Sequence, residues 1–197
     1  PVPGAEVIPE RLQDLYSVLD FRESKTINIP GEKLVLIGHS LGALTSFFAS
    51  GAILDDQLEK RCKSVLDDLS LTNLSALLQC QLVDVELPKN KEINDLAAIV
   101  GINSFGSLLW PLNLESQIDL PLFLIGGTFD LITPANSEQL GLLLSINSNP
   151  FSRVLIIEGA SHFSPVRIEG QREKRNGDDL FQLGESLVGI HPLSVQS

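Results

Sequence analysis

Methionine is absent from the sequence; tryptophan and tyrosine occur once each, cysteine twice and histidine three times in 197 residues. Two cysteines are too few for a disulfide framework, and their spacing to the histidines does not suit a metal site. Cys62 and Cys80 are therefore expected as buried or idle thiols, with a single bridge as the alternative, and so cysteine-poor a chain leans toward a reducing, cytoplasmic compartment. Basic charge is also scarce: 14 Lys and Arg face 25 Asp and Glu, a net charge of −11. That balance opposes nucleic acid or an anionic membrane surface as a partner. The one dense basic cluster, Arg172 to Arg175, is followed by Asp178 and Asp179 and reads as a solvated loop. No apolar run reaches the roughly 18 residues that a membrane-crossing helix needs. The chain opens at Pro1 without a charged-then-apolar leader, so processing or fragmentation is expected to have removed the natural start. Asn73-Leu74-Ser75 matches a glycosylation sequon, a pattern short enough to arise by chance.

What is present is apolar. Hydrophobic residues make up 43 % of the chain, enough for one domain with a substantial core. Leu12, Leu15, Tyr16 and Leu19 stand at helical spacing after Pro9, which suits a helix start. Four short apolar runs, 33–38, 96–103, 120–128 and 153–160, end in Gly, Ser, Asn or another small residue and read as strands buried on both faces. Between the last two, residues 133–146 predict a helix capped by Ser137. Strands alternating with helices predict an α/β fold, a mainly parallel sheet flanked by helices. The interval from Leu54 to Lys91 breaks this rhythm with two helical patterns and a charged, Pro-containing stretch. It is read as an insertion, a lid over the strand ends in preference to an enlarged crossover.

Chemistry enters where the first strand stops. Gly38-His39-Ser40-Leu41-Gly42 lies between that strand and a helix carrying Leu44, Phe47 and Phe48. Glycines in this Gly-X-Ser-X-Gly pattern permit a tight strand-to-helix turn that holds the serine out, with the following N–H facing a developing oxyanion. A serine hydroxyl is a weak nucleophile and needs an imidazole to take its proton. His162 follows the last apolar run and is the candidate base. His39 sits inside the elbow and reads as a packing or hydrogen-bonding residue; His191, near the terminus, reads as a surface or core-edge residue. Asp130, after the third run, is the candidate acid, with turn capping before Thr133-Pro134 as its competing role. Asp178, Asp179 and Glu158 are weaker candidates, the first two because they follow the histidine and Glu158 because it lies in a strand run. Phe105, Leu108, Trp110 and Phe163 are candidates for an apolar acyl pocket, with core packing as the alternative.

The order Ser40, Asp130, His162, carried by GHSLG, GGTFD and EGASHF, resembles the α/β-hydrolase fold family over nearly the whole chain. NSFGSLLWPLNL, GGTFDLITP and EGASHFSP resemble dienelactone-hydrolase-like and platelet-activating-factor-acetylhydrolase-like bacterial and cyanobacterial proteins. True dienelactone hydrolases use a cysteine where this elbow has Ser40, so the subgroup does not define the substrate. The resemblance implies a serine hydrolase acting on a small-molecule carboxylic ester, with Leu41 N–H as an oxyanion donor and no metal or organic cofactor. The family's His-Gly loop before the elbow, which supplies a second oxyanion donor, has no counterpart in Pro1 to Gly31. The first strands and that donor are expected to be missing from this chain. A non-catalytic binding domain of the same fold, and an acyltransferase or thioesterase, are the competing readings.

Overall fold

A computed structural model describes residues 7–24, 31–67, 74–111 and 118–165. In chain order the elements are α1 (Ile8–Glu23), β1 (Leu34–His39), α2 (Leu41–Ala49), α3 (Leu58–Asp67), α4 (Leu74–Cys80), β2 (Leu96–Ile102), β3 (Leu122–Gly127), a π-helical stretch (Ala135–Gly141) running into α5 (Leu142–Ile146), and β4 (Arg153–Ile157). The strands form one sheet in the order β1-β2-β3-β4, and every neighbouring pair is parallel. The expected α/β architecture is thus present, and each apolar run predicted as a strand contains one. Among the described residues no helix is long and apolar enough to cross a membrane.

Alternation along the strands separates two faces. Leu36, Ile99, Leu122 and Leu124 point to a face that is buried, where the Phe47 ring of α2 approaches Gly101 and Gln139 approaches Gly126. The alternate positions Val35, Ile37, Phe123 and Leu155 are 45 %, 68 %, 39 % and 46 % exposed. Among the described residues the helices therefore lie over one face, which corrects the expectation of strands buried on both, and α2, buried from Ala43 to Ala49, is central to that face. Burying a Leu or Phe side chain contributes about 1.5–3 kcal/mol, so this layer fixes α2 against the sheet.

The segment from Leu54 to Lys91 contains two helices, α3 and α4, and corrects the cysteine expectation: Cys62 and Cys80 are joined by a disulfide across 18 residues. Cys62 is buried and Cys80 half-buried, and the fold brings their Cα atoms to 5.6 Å, a separation that a disulfide spans. α3 is also tied inward by Arg61, which donates to the Asp55 carboxylate at 2.9 Å and to the carbonyl of Trp110 at 2.7 Å. α4 contributes Gln79, whose amide oxygen accepts from Leu108 N–H at 2.7 Å while its NH2 donates to Glu138 at 3.1 Å. Buried Glu138 in turn accepts from the N–H groups of Gly106 and Ser107 and from the Ser107 hydroxyl. The loop after β2 is thereby held from both sides.

A second correction concerns Ser137, which caps nothing. The helical turns follow Pro134, which occupies the cap position without a side-chain bond, and the Ser137 hydroxyl donates back to the Pro134 carbonyl. Proline fixes φ at that start, and Ser137 lies inside the first turn, where its hydroxyl has no free N–H ahead of it to cap.

Closing a loop of this length lowers the entropy of the unfolded chain by an amount worth about 3 kcal/mol. Reduction, or Cys62→Ser with Cys80→Ser, is expected to lower unfolding stability by about that amount in urea titrations. A midpoint unchanged by reductant would contradict it.

Candidate active site

The parallel ladder extends one step past the strand ends. Ser40 N–H donates to Ile102 O at 2.9 Å, Asn103 N–H to Ile125 O at 2.7 Å, and Thr128 N–H to Ile157 O at 3.1 Å. These bonds suspend the elbow, the loop after β2 and the turn after β3 from the same sheet edge. Ser40 adopts φ 54° and ψ −118°, a strained conformation for a residue with a side chain, costing about 1–3 kcal/mol. Its carbonyl accepts from Ala43 and Leu44 in the first turn of α2. A Cβ on Gly38 would lie 2.2 Å from the carbonyl carbon of Gly42, so only glycine lets strand and helix meet this closely.

The turn after β3 and the loop after β4 are joined by the same device. A Cβ on Gly127 would stand 2.1 Å from the Ala160 carbonyl oxygen. Phe129 N–H donates to that oxygen at 3.0 Å, and Gly159 N–H donates to the Thr128 hydroxyl at 2.8 Å. Ser161 and Ser164 close the loop internally, Ser161 N–H donating to Ser164 Oγ and Ser164 N–H to Ser161 O. His162 is held between them.

The three residues picked from sequence come together. Ser40 Oγ lies 3.0 Å from His162 Nε2, and His162 Nδ1 lies 2.9 Å from Asp130 Oδ2. His162 and Asp130 are 5 % and 3 % exposed, while Ser40 is half-buried and accessible. Asp130 makes the contacts that both readings of it call for. Its Oδ1 accepts from the N–H groups of Ile132 and Thr133 at 2.9 and 2.8 Å, closing the turn, and Oδ2 faces the imidazole. Because Oδ2 is an acceptor, Nδ1 carries the ring hydrogen, leaving Nε2 free to accept from Ser40.

Two further residues enter the site that the sequence does not single out. Thr133 donates its hydroxyl to Asp130 Oδ2 at 2.7 Å, completing the shell of the acid. Asn103 donates from Nδ2 to His162 O at 2.7 Å and to Ser161 O at 3.3 Å. Their signals are present but weak: a hydroxyl three residues after an Asp, and an Asn one residue beyond a strand. His39 lies against His162, its Nε2 donating to His162 O at 2.8 Å and its ring tilted against that of His162 at 5.0 Å. Burial holds the His39 pKa below its ordinary 6.5, outweighing the carbonyl bond that favours the charged form.

Leu41 opens α2, so its N–H, like other first-turn amides, has no partner within its own helix. Of the candidate acyl-pocket residues, Phe105 and Trp110 lie in the core, 0 % and 1 % exposed, with Trp110 edge-on to Phe47 and Phe48. Leu108 is half-buried, and Phe163 stands edge-on to His162 at 5.1 Å. A cavity of about 540 Å3 adjoins Asp130 and is lined by Leu74, Leu131, Pro134, Ala135 and Ile156 among others, and by none of those four candidates. His191, Asp178, Asp179 and the basic cluster lie outside the described residues. Among the described residues no group of His, Cys, Asp and Glu side chains is arranged to hold a metal.

No family model and no curated protein sequence matches the chain. Among solved structures, it is similar to an alpha-beta serine hydrolase homologue from Coxiella burnetii, at 18 % identity and a TM-score of 0.39, over 77 % of this chain and 50 % of that one. It is also similar to alpha/beta hydrolase domain-containing protein 10 from mouse, at 12 % identity and a TM-score of 0.44, over 80 % of this chain and 62 % of that one. A monoacylglycerol lipase from Paleococcus ferrophilus aligns at 13 % identity and a TM-score of 0.45, over 95 % of this chain and 73 % of that one. The chain thus spans only half to three quarters of the length of these proteins.

The depressed His39 pKa carries a pH dependence. Unfolded His39 takes up its proton near 6.5, whereas folded His39 stays neutral to lower pH. Within that window the unfolded chain binds more protons, so folding stability falls as pH drops below 6.5 and the loss is complete below the folded value. His39→Gln, which does not titrate, is expected to show a smaller drop in melting temperature between about pH 8 and about pH 5 than the parent. Equal drops in both proteins would refute this.

Proposed function

We propose that the chain is the triad-bearing part of a serine hydrolase of the α/β-hydrolase type that cleaves carboxylic esters through an acyl-enzyme. The supporting observation is the continuous hydrogen-bonded line from Ser40 Oγ through the His162 ring to Asp130 Oδ2, at 3.0 and 2.9 Å. In this reading Ser40 Oγ attacks the ester carbonyl carbon as His162 Nε2 takes its proton. The oxygen of the tetrahedral intermediate receives Leu41 N–H. His162 returns the proton to the departing alkoxide, and the C–O bond to the alcohol breaks. Water then repeats the cycle against the acyl-serine, releasing the acid and restoring Ser40.

Asp130 fixes the tautomer of His162 and stabilises the imidazolium. Its two oxygens accept from two main-chain N–H groups, the Thr133 hydroxyl and the His162 ring. α3 and α4, in the segment from Leu54 to Lys91, serve as a cover in the same reading, since Leu74 lines the cavity beside Asp130. The finer resemblance to dienelactone-hydrolase-like and platelet-activating-factor-acetylhydrolase-like proteins stays part of this proposal, as does an apolar acyl group in the ester.

Ser40→Ala in the full-length protein is expected to abolish turnover of short-chain aryl esters and labelling by a fluorophosphonate probe. Undiminished turnover would end the proposal, and an unlabelled but folded parent would favour a binding domain. Thr133→Val removes a charge-assisted bond to the acid and is expected to lower kcat/KM about ten-fold, with Thr133→Ser retaining most of it. Steady-state kinetics on the same esters would decide this.

A further inference from the structure

We propose that His39 and Asn103 are positioning residues for the base, setting the His162 imidazole through the residue's own main-chain carbonyl. The inference rests on the reading of Ser40 as nucleophile and adds to it the means by which the base is aimed. His39 Nε2 and Asn103 Nδ2 reach the same oxygen, His162 O, at 2.8 and 2.7 Å. They come from the C-terminal ends of neighbouring strands, separated from His162 by 123 and 59 residues. A carbonyl oxygen has two lone pairs, and two such donors satisfy both.

The convergence matters because His162 sits on a loop, not on a regular element. Its neighbours Ser161 and Ser164 tie that loop to itself, and Gly159 and Ala160 tie its start to the turn after β3, but none of these bonds reaches the main chain of His162. The two donors hold that carbonyl itself. Asn103 is itself anchored to the sheet, since its N–H donates to Ile125 O at 2.7 Å. It also adopts φ 46°, a left-handed backbone that Asn tolerates better than most residues. Through this residue the loop that carries His162 is referenced to β3. The His39 ring, 5.0 Å from the His162 ring, adds a lateral stop. Displacing a catalytic group by about 1 Å can cost on the order of 100-fold in rate, so small freedom in this carbonyl has a large effect at Nε2.

Two donors on one acceptor give a specific signature. Either alone still holds the oxygen, whereas losing both leaves a buried carbonyl free to move. Asn103→Gly deletes the amide while permitting the backbone conformation, His39→Leu deletes the ring donor, and His39→Gln restores an N–H. Fluorophosphonate acylation rates and ester kinetics are measured on the full-length protein. Each single deletion is expected to slow acylation about five-fold with KM little changed, and the double variant by more than the product of the singles. His39→Gln is expected to come within about two-fold of the parent. The hydrogen-bonded Nδ1–H proton resonance of His162, followed by NMR, is expected to be sharp in the parent and broadened or lost in the double variant. Parental acylation rates in the double variant, or a resonance as sharp as the parent's, would overturn the clamp. A parent that the probe never labels would instead overturn the serine-hydrolase reading, while the resonance still decides the clamp.

Discussion

The elbow closes only because Gly38 and Gly42 approach so nearly that a Cβ on Gly38 would fall 2.2 Å from the Gly42 carbonyl carbon. That crossing forces Ser40 into its positive φ and aims Oγ away from both β1 and α2. The conformation is unfavourable in isolation and persists because its surroundings over-determine it. Ser40 N–H is taken by Ile102, its carbonyl by the first turn of α2, and α2 is buried against the sheet from Ala43 to Ala49. Strain at one residue is thus held by a hydrophobic layer that does no chemistry.

From that fixed point the rest of the site follows by extension of the sheet. A parallel sheet brings all its strand ends to one edge, so residues far apart in sequence need only short loops to meet. Each loop then has its own lock. Gly127 lets the base loop touch the acid turn, Asp130 Oδ1 binds the N–H groups of its own turn, and Asn103 and His39 take the carbonyl of His162. Hydrogen bonds individually contribute only about 0.5–1.5 kcal/mol to stability. Their value here is geometric, because they leave few ways for the three functional groups to separate.

How much of this is legible in the sequence depends on whether a signal is local. The four strands stand out as short apolar runs, and the elbow as a five-residue pattern at the end of one of them. Ser40, Asp130 and His162 can be chosen because each follows a strand, and parallel topology makes that position meaningful. The cysteine pair runs against its expectation because pairing depends on how α3 lies against α4, which no spacing rule reveals. Ser137 looks like a cap, yet proline has already supplied the helix start. Phe105 and Trp110 carry the same residue types whether they face a ligand or a core, and only the packing of Phe47 and Phe48 against Trp110 separates the two. Asn103 escapes notice because its partners are carbonyl oxygens 58 and 59 residues away that only the fold brings close, and Thr133 because a hydroxyl three residues after an Asp is common in ordinary turns.

Asp130 and Glu138 sharpen the chemical point, since both are carboxylates buried beneath the same sheet edge. Each is surrounded by four donors, none of them a permanent cation. Glu138 takes two main-chain N–H groups, the Ser107 hydroxyl and the Gln79 amide. Asp130 takes two main-chain N–H groups, the Thr133 hydroxyl and the His162 ring. Burying a carboxylate is costly unless such donors replace water, and both sites meet that requirement. They differ in a single donor. Every partner of Glu138 keeps its charge state, so Glu138 can only hold the loop after β2 in place. Asp130 alone of the two faces an imidazole, the one partner that can gain a proton, so in the proposed reaction it is the carboxylate that would favour proton transfer from Ser40 as well as the fold.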